Sequence, residues 1–306
     1  MITQRDAFWD EIYELARVDR DIIVISADMG SPSLDKFRRD LPQQFINTGI
    51  AEQNSILIAS GLAKEGKKVF VYAIASFLTL NCIEKIRVQN GMMNIPINIV
   101  GVGSGFSYPD SGPTHHLCED IAIMRAIPNI TTLSISDKHM AIKAARDYKT
   151  YKNTQYIRLE RQPSGEIFNS HEDVSLTHGV KEVISGKGTL VISNGNLLFK
   201  SKEIIEEQSL DFGLCDLYRF PINESALKEI VSKYDKIISL EETFLPAGQG
   251  SAILEALNNL GLKIKVKRLG IDPAKGYCYE YGGREAIHEY YGIGKDNLIS
   301  EFKNSF

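Results

Sequence analysis

Cysteine is scarce in this 306-residue chain: Cys82, Cys118, Cys215 and Cys278 lie far apart and form no Cys-x-x-Cys pair. That spacing excludes zinc ribbons and a disulfide framework, and leaves reduced thiols as the default. No apolar run approaches the roughly 18 residues needed to span a bilayer. The opening residues, Met1-Ile-Thr-Gln-Arg-Asp-Ala-Phe-Trp-Asp10, lack the uninterrupted apolar core of a signal peptide. Together these absences predict a cytoplasmic protein. An excess of positive charge is missing too, since a formal net charge of −4 gives no electrostatic case for nucleic acid. Internal repeats and low-complexity tracts are also absent.

What is present is the composition of an ordinary globular protein, 43% hydrophobic and 24% charged, at a length that suits two domains better than one core. Short β-rich runs at 22–26, 68–72, 95–100, 130–135 and 155–159 alternate with helical patterns at 6–16, 52–64, 78–92 and 138–147. The second half repeats the rhythm, with strands expected at 181–184, 189–192, 212–216, 236–240 and 263–267 and helices at 200–207, 224–233 and 250–260. Such alternation implies βαβ units. The expected fold is therefore α/β, two domains, each a mostly parallel sheet with helices on both faces. Pro163, Gly165 and the polar residues around them suit a linker and place a boundary near 163–180, giving domains at 1–165 and 180–306.

Ligands of open α/β sheets gather at the carboxyl ends of strands, which directs attention to the segments that follow them. Phe45-Ile-Asn-Thr-Gly-Ile-Ala-Glu-Gln-Asn54 puts one acid, Glu52, into an uncharged run where a short strand hands over to an apolar helix. It is either a first-turn glutamate favoured by the helix dipole or a buried carboxylate that holds and exchanges a proton. Gly101-Val-Gly-Ser-Gly-Phe-Ser-Tyr-Pro-Asp-Ser-Gly-Pro-Thr-His-His116 follows another strand. Its G-x-G-x-G spacing, with no helix directly behind, is a poor dinucleotide fingerprint. His115 and His116 have no third residue at metal-ligand spacing, so polar recognition or proton transfer competes there with a solvated loop. Arg158-Leu-Glu-Arg161 ends the last strand of the first half, where an arginine suits phosphate or carboxylate recognition and an Arg158–Glu160 ion pair is the plainer alternative. Phe77, just before a helical pattern, reads by composition as core.

As an ensemble these segments resemble the pyrimidine-binding and C-terminal domains of the transketolase family. Phe45–Asn54 resembles the stretch bearing the catalytic glutamate of thiamine-diphosphate enzymes, and Gly112-Pro-Thr-His115 matches the family's Gly-Pro-Thr-His motif. Met124-Arg-Ala-Ile-Pro-Asn129, Ser136-Asp137, Arg158–Gln162 and Glu241-Glu-Thr-Phe-Leu-Pro-Ala-Gly-Gln-Gly250 extend the likeness along essentially the whole chain. The resemblance implies that Glu52 hydrogen-bonds the aminopyrimidine of thiamine diphosphate and shares a proton with it, promoting the tautomer that generates the carbanion. It implies Phe77 as the aromatic stacked on that ring, Asp28 as an acid near the cofactor or a loop cap, His115 (with His116 beside it) on substrate oxygens, and Arg161 on a substrate phosphate.

The family holds the diphosphate through Mg²⁺ on a Gly-Asp-Gly…Asn motif of a further domain, and no Gly-Asp-Gly occurs here. The chain thus resembles the C-terminal half of a split transketolase, whose separate partner subunit supplies the Mg²⁺ site in an α₂β₂ assembly, with no metal ligand of its own. Transketolases carry a histidine where this chain has Gly103 and an aspartate where it has Ser111, groups that recognise donor-sugar hydroxyls. Their substitution points to an altered sugar or sugar phosphate. The competing readings are a 2-oxo-acid dehydrogenase β subunit, a deoxyxylulose-phosphate synthase and a non-catalytic module of the same fold.

Overall fold

The computed structural model describes residues 2–304. Its first helix, α1 (Gln4–Val18), starts at Thr3, whose hydroxyl accepts the Asp6 N–H at 3.0 Å and satisfies one orphan donor of the first turn. Phe8, Trp9, Ile12 and Ala16 recur on one face and are buried. The chain continues through β1 (Ile22–Ser26), α2 (Pro32–Asp40), β2 (Phe45–Asn47), α3 (Glu52–Lys64), β3 (Lys68–Ile74), α4 (Ala75–Thr79), α5 (Ile83–Ile86), β4 (Asn98–Val102), α6 (Asp120–Arg125), β5 (Ile130–Ser134), α7 (Lys138–Arg146) and β6 (Thr154–Leu159). Within this part the strands lie in the order β5-β6-β4-β3-β1-β2, and every neighbouring pair is parallel. Both faces of such a sheet are covered, which is why β1, β4, β5 and β6 are buried at every position. Ile25, Val71, Ile99, Ile56, Leu78 and Ile86 belong to its core.

The second half continues with β7 (Val180–Ile184), β8 (Thr189–Ser193), α8 (Gly195–Glu207), β9 (Gly213–Leu217), β10 (Arg219–Phe220), α9 (Glu224–Val231), β11 (Lys236–Phe244), α10 (Gln249–Asn259), β12 (Lys265–Ile271), α11 (Gly283–Tyr291) and α12 (Lys295–Lys303). Its five-stranded sheet runs β12-β11-β8-β9-β7, parallel except for the antiparallel edge strand β7. The chain therefore forms two compact units. The first comprises the residues up to Ser104 together with Ile123–Leu176, and the second comprises Gly105–Ala122 and Thr177 onward. No helix among the described residues is long and apolar enough to cross a membrane.

The α/β architecture with mostly parallel sheets is the expected one, and its departures have local causes. The helical pattern at 78–92 is interrupted: α4 stops at Thr79, α5 is short, and a widened turn spans Arg87–Met92. Asn90 is buried in that turn and donates its amide to the Ile95 carbonyl at 2.8 Å, so its side chain supports the irregular backbone. β4 begins at Asn98 rather than 95 because Ile95 N–H already donates to Gln89 and Pro96 has no N–H to offer the ladder. β11 extends past 240 through Glu241, Glu242 and Thr243, with a register shift against β12 between Leu240 and Phe244. α2, α11 and α12 form where no helix is expected from periodicity.

Candidate active site

A parallel sheet brings all its carboxyl ends to one edge, and most of the expected site residues lie along that edge of the first unit. Asp28 follows β1, Glu52 follows β2, Phe77 lies in α4 after β3, Gly103 follows β4 and Arg161 follows β6. A cavity of about 310 Å³ opens at the opposite, amino-terminal edge, lined by Lys67, Lys68, Asn98, Tyr148 and Gln155, and none of the expected site residues lines it.

Glu52 is the first residue of α3. The turn before it is built by Gly49 at φ 70°, by Ala51 N–H donating to the Gly49 carbonyl at 2.8 Å, and by the Thr48 and Ser55 hydroxyls 2.7 Å apart. Glycine permits the left-handed step there at no steric cost. The Glu52 residue is only 9% exposed, and its carboxylate has no hydrogen-bond or ion-pair partner among the described residues. The acid thus sits where the helix dipole favours negative charge and is buried at the same time. A buried acid without a protein partner is an unusual expense, of the kind found where a ligand completes the site.

Its neighbourhood contains a residue that carried no sequence signal. The Cys82 thiol is pushed up to about 12 by burial and by the charge of Glu52, and its sulfur donates to the Phe77 carbonyl at 3.4 Å. Glu52, Cys82 and Phe77 are thereby brought together, with Phe77 half-buried. Gln53, next to Glu52, donates to Asn81 at 3.0 Å and ties α3 to the turn before Cys82. Asp28 is exposed at φ 53° and accepts from the Asn47 amide at 3.1 Å, while Asn47 Oδ1 accepts the Gly49 N–H at 2.9 Å. It therefore braces the turn that delivers Glu52.

Farther along the edge, Gly103 adopts φ 100° and its N–H donates to the Leu159 carbonyl at 2.8 Å. Ser104 Oγ donates to Glu160 at 2.7 Å, and Glu160 is buried. Arg158 is also buried and donates to Ser134 at 3.4 Å, whereas Arg161 is exposed.

Ser111, His115 and His116 belong to the second unit. Ser111 is exposed, His115 is half-buried with its Nδ1 3.2 Å from the Thr114 hydroxyl, and the Tyr108 ring lies 6.0 Å from the His115 ring. His116 is buried. Burial lowers its pKa, against the Pro109 carbonyl and the Glu242 charge that raise it, and its Nε2 has no hydrogen-bond partner among the described residues. The two histidines are thus unlike: one reaches the rim of its loop and the other faces inward.

The first unit is thus an open α/β domain with a mostly buried glutamate after its short second strand. Residues 1–165 match the family described as transketolase, pyrimidine binding domain, and the chain belongs to that family. It is 29% identical over 300 residues to a Methanocaldococcus jannaschii chain named for the C-terminal section of transketolase, covering 96% of this chain and 93% of that one. It is 27% identical over 303 residues to an apulose-4-phosphate transketolase subunit of Phocaeicola vulgatus, covering 97% and 96%. Among solved structures, a split-gene transketolase described as an inactive β4 tetramer superposes with a TM-score of 0.83 at 25% identity, covering 99% of this chain and 97% of that one.

Proposed function

We propose that this chain is one subunit of a thiamine-diphosphate-dependent, transketolase-like transferase that moves a ketol unit between sugars or sugar phosphates. One observation carries the reading: the Glu52 carboxylate is buried at the carboxyl edge of the sheet and has no hydrogen-bond or ion-pair partner among the described residues. Such an acid fits a ring nitrogen that must gain and lose a proton, and the half-buried Phe77 nearby fits an aromatic ring above it. When bound, thiamine diphosphate supplies the nucleophilic carbon that breaks and makes the bond beside a ketose carbonyl.

The chain's own residues handle protons and position. Glu52 holds the shared proton at one carboxylate oxygen and takes it back, and burial keeps bulk water from competing for it. Phe77 offers its ring to the pyrimidine, and Asp28 braces the turn ahead of Glu52. His115 donates to substrate oxygens from the loop rim, with His116 behind it. Gly103 and Ser111, where relatives of the family carry sugar-recognising side chains, bear on the choice of donor sugar, and the exposed Arg161 binds a substrate phosphate. Residues 1–165 act as the pyrimidine-binding domain and 180–306 as the C-terminal domain.

The Mg²⁺ and diphosphate site comes from a separate partner subunit in an α₂β₂ assembly. In support, the similar proteins that this chain covers nearly end to end are themselves named as a section, a subunit or a split-gene product. The sequence also holds no Gly-Asp-Gly. Co-purification with the partner should give Mg²⁺- and thiamine-diphosphate-dependent ketol transfer and no decarboxylation of 2-oxo acids. Robust ketol transfer by this chain without the partner would overturn the two-subunit reading.

A further inference from the structure

The second unit buries a charged cluster that the proposed chemistry does not use. Glu242 lies on β11 with its side chain only 7% exposed. Arg284 grips it with both nitrogens of its fork, Nε donating to Oε1 at 2.7 Å and a terminal nitrogen donating to Oε2. His288, fully buried, donates from Nε2 to Oε1 at 2.5 Å. The tautomer follows from its other side, where Nδ1 lies 2.6 Å from the Lys200 ammonium, a group that can only donate. Glu285, on the exposed side of the cluster, lies 2.7 Å from Lys200. Burial opposes ionisation of Glu242, but the Arg284 charge and the hydrogen bonds from Arg284 and His288 overcome it and hold the carboxyl well below the usual range. Burying so many charges is costly, and stability alone is a weak reason for it.

What rests on the cluster is the neck of the histidine loop. Gly105 has φ 55°, and a Cβ there would lie 1.9 Å from Glu242 Oε2, so only glycine lets the backbone sit on the carboxylate. Leu117 N–H donates to the Gly105 carbonyl at 2.9 Å, closing the loop into a neck. Phe244 N–H, two residues beyond Glu242, donates to the Cys118 carbonyl at 2.8 Å and fixes the returning strand of that neck. Phe106 stacks on Tyr291 at 5.5 Å and meets His116 edge-on at 5.1 Å and His288 at 6.0 Å. The tip of the same loop carries Ser111 and His115.

We propose that Glu242, gripped by Arg284 and His288, is a positioning residue that fixes the 105–117 loop and so sets where His115 meets the substrate. This rests on the transketolase-like reading of His115. The test uses the full chain assembled with its partner subunit. In Glu242→Gln the KM for a ketose donor should rise by roughly 10- to 100-fold, the scale of a misplaced binding group. The Kd for thiamine diphosphate, which general damage would also weaken, should stay at the wild-type value.

Hydrogen exchange gives a readout that needs no activity. The Leu117 amide should exchange about tenfold faster in Glu242→Gln, with amides of β1 and β3 unchanged. Arg284→Lys keeps the charge without the fork and should fall between. Gly105→Ala lifts the neck while leaving Glu242 intact, and together with Arg284→Lys it decides the matter if Glu242→Gln does not fold. Wild-type exchange at Leu117, or faster exchange with an unchanged KM, overturns the proposal. If the wild-type assembly transfers no ketol unit, the functional reading fails by itself, and wild-type exchange at Leu117 in the variants would still overturn the anchor.

Discussion

Glu52 bears directly on Cys82: burial and the Glu52 charge together push the Cys82 thiol up to about 12. The thiol is therefore protonated throughout the physiological range and donates to the Phe77 carbonyl rather than acting as a nucleophile. Alkylation of Cys82 by iodoacetamide in the folded chain should stay negligible at pH 8 and 9. Glu52→Gln removes only the smaller of the two causes, so it should move the alkylation profile slightly toward lower pH. Rapid labelling at pH 8 in the native chain would contradict this arrangement.

A second expectation concerns the seat of Phe77. Gly101 on β4 faces α4 so closely that a Cβ there would lie 2.8 Å from Ala75 Cβ and 3.1 Å from the Tyr156 ring. Gly101→Ala overpacks this contact and should cost about 1–3 kcal/mol of stability, read as a lower denaturant midpoint. Because α4 carries Phe77, the same variant should also weaken thiamine diphosphate binding in the assembled enzyme, by about tenfold for a displacement of this size. Lost stability with unchanged cofactor affinity would show that Phe77 does not support the ring.

Glu241, beside the anchor residue, gives a pH dependence. Burial raises its pKa to about 7, against the Thr243 hydroxyl, the Gly250 and Gln249 N–H groups and the Arg268 charge, all of which favour the ionised form. A folded-state pKa above the unfolded value of 4.5 means the folded state binds the proton more tightly. The resulting stability is fully present below about pH 4.5 and is lost as pH rises to about 7, a span worth on the order of 3 kcal/mol. Glu241→Gln should flatten that part of the profile. Urea midpoints measured from pH 4.5 to 7.5 check it, and identical slopes in wild type and variant would count against it.

Much of this architecture was legible in the sequence because apolar runs such as Ile22–Ser26 and Thr189–Ser193 have no other stable use than buried strands. α3 was legible to its first residue, since the apolar period begins immediately after the uncharged turn. The extension of β11 was not, because Glu241-Glu242-Thr243 reads as a polar loop until the partners of those acids are known. α2 and α12 carry few apolar residues, and they are held by buried ones such as Leu34, Phe37 and Phe302.

The site divides in the same way. Glu52 and His115 stood out by local context and by resemblance. That Glu52 meets no hydrogen-bond or ion-pair partner among the described residues is a property of the folded neighbourhood and leaves no mark on the sequence. Glu242 is separated from Arg284 by 42 residues and from His288 by 46, so no motif spacing could have joined them. Gly105 was visible as one glycine among several, and only the folded chain shows which carboxylate requires it.

The most direct measurement is turnover by Glu52→Gln in the assembly with its partner subunit, with Mg²⁺ and thiamine diphosphate saturating. Glutamine keeps the shape of the acid and cannot exchange its proton, so ketol transfer should fall by roughly 10²–10⁴-fold, the range for losing a general acid–base group. Circular dichroism and assembly with the partner should stay as in the wild type, because Glu52 has no hydrogen-bond or ion-pair partner to lose among the described residues. Wild-type turnover in a folded, assembled Glu52→Gln enzyme would contradict the role of Glu52 as the proton handle of the site.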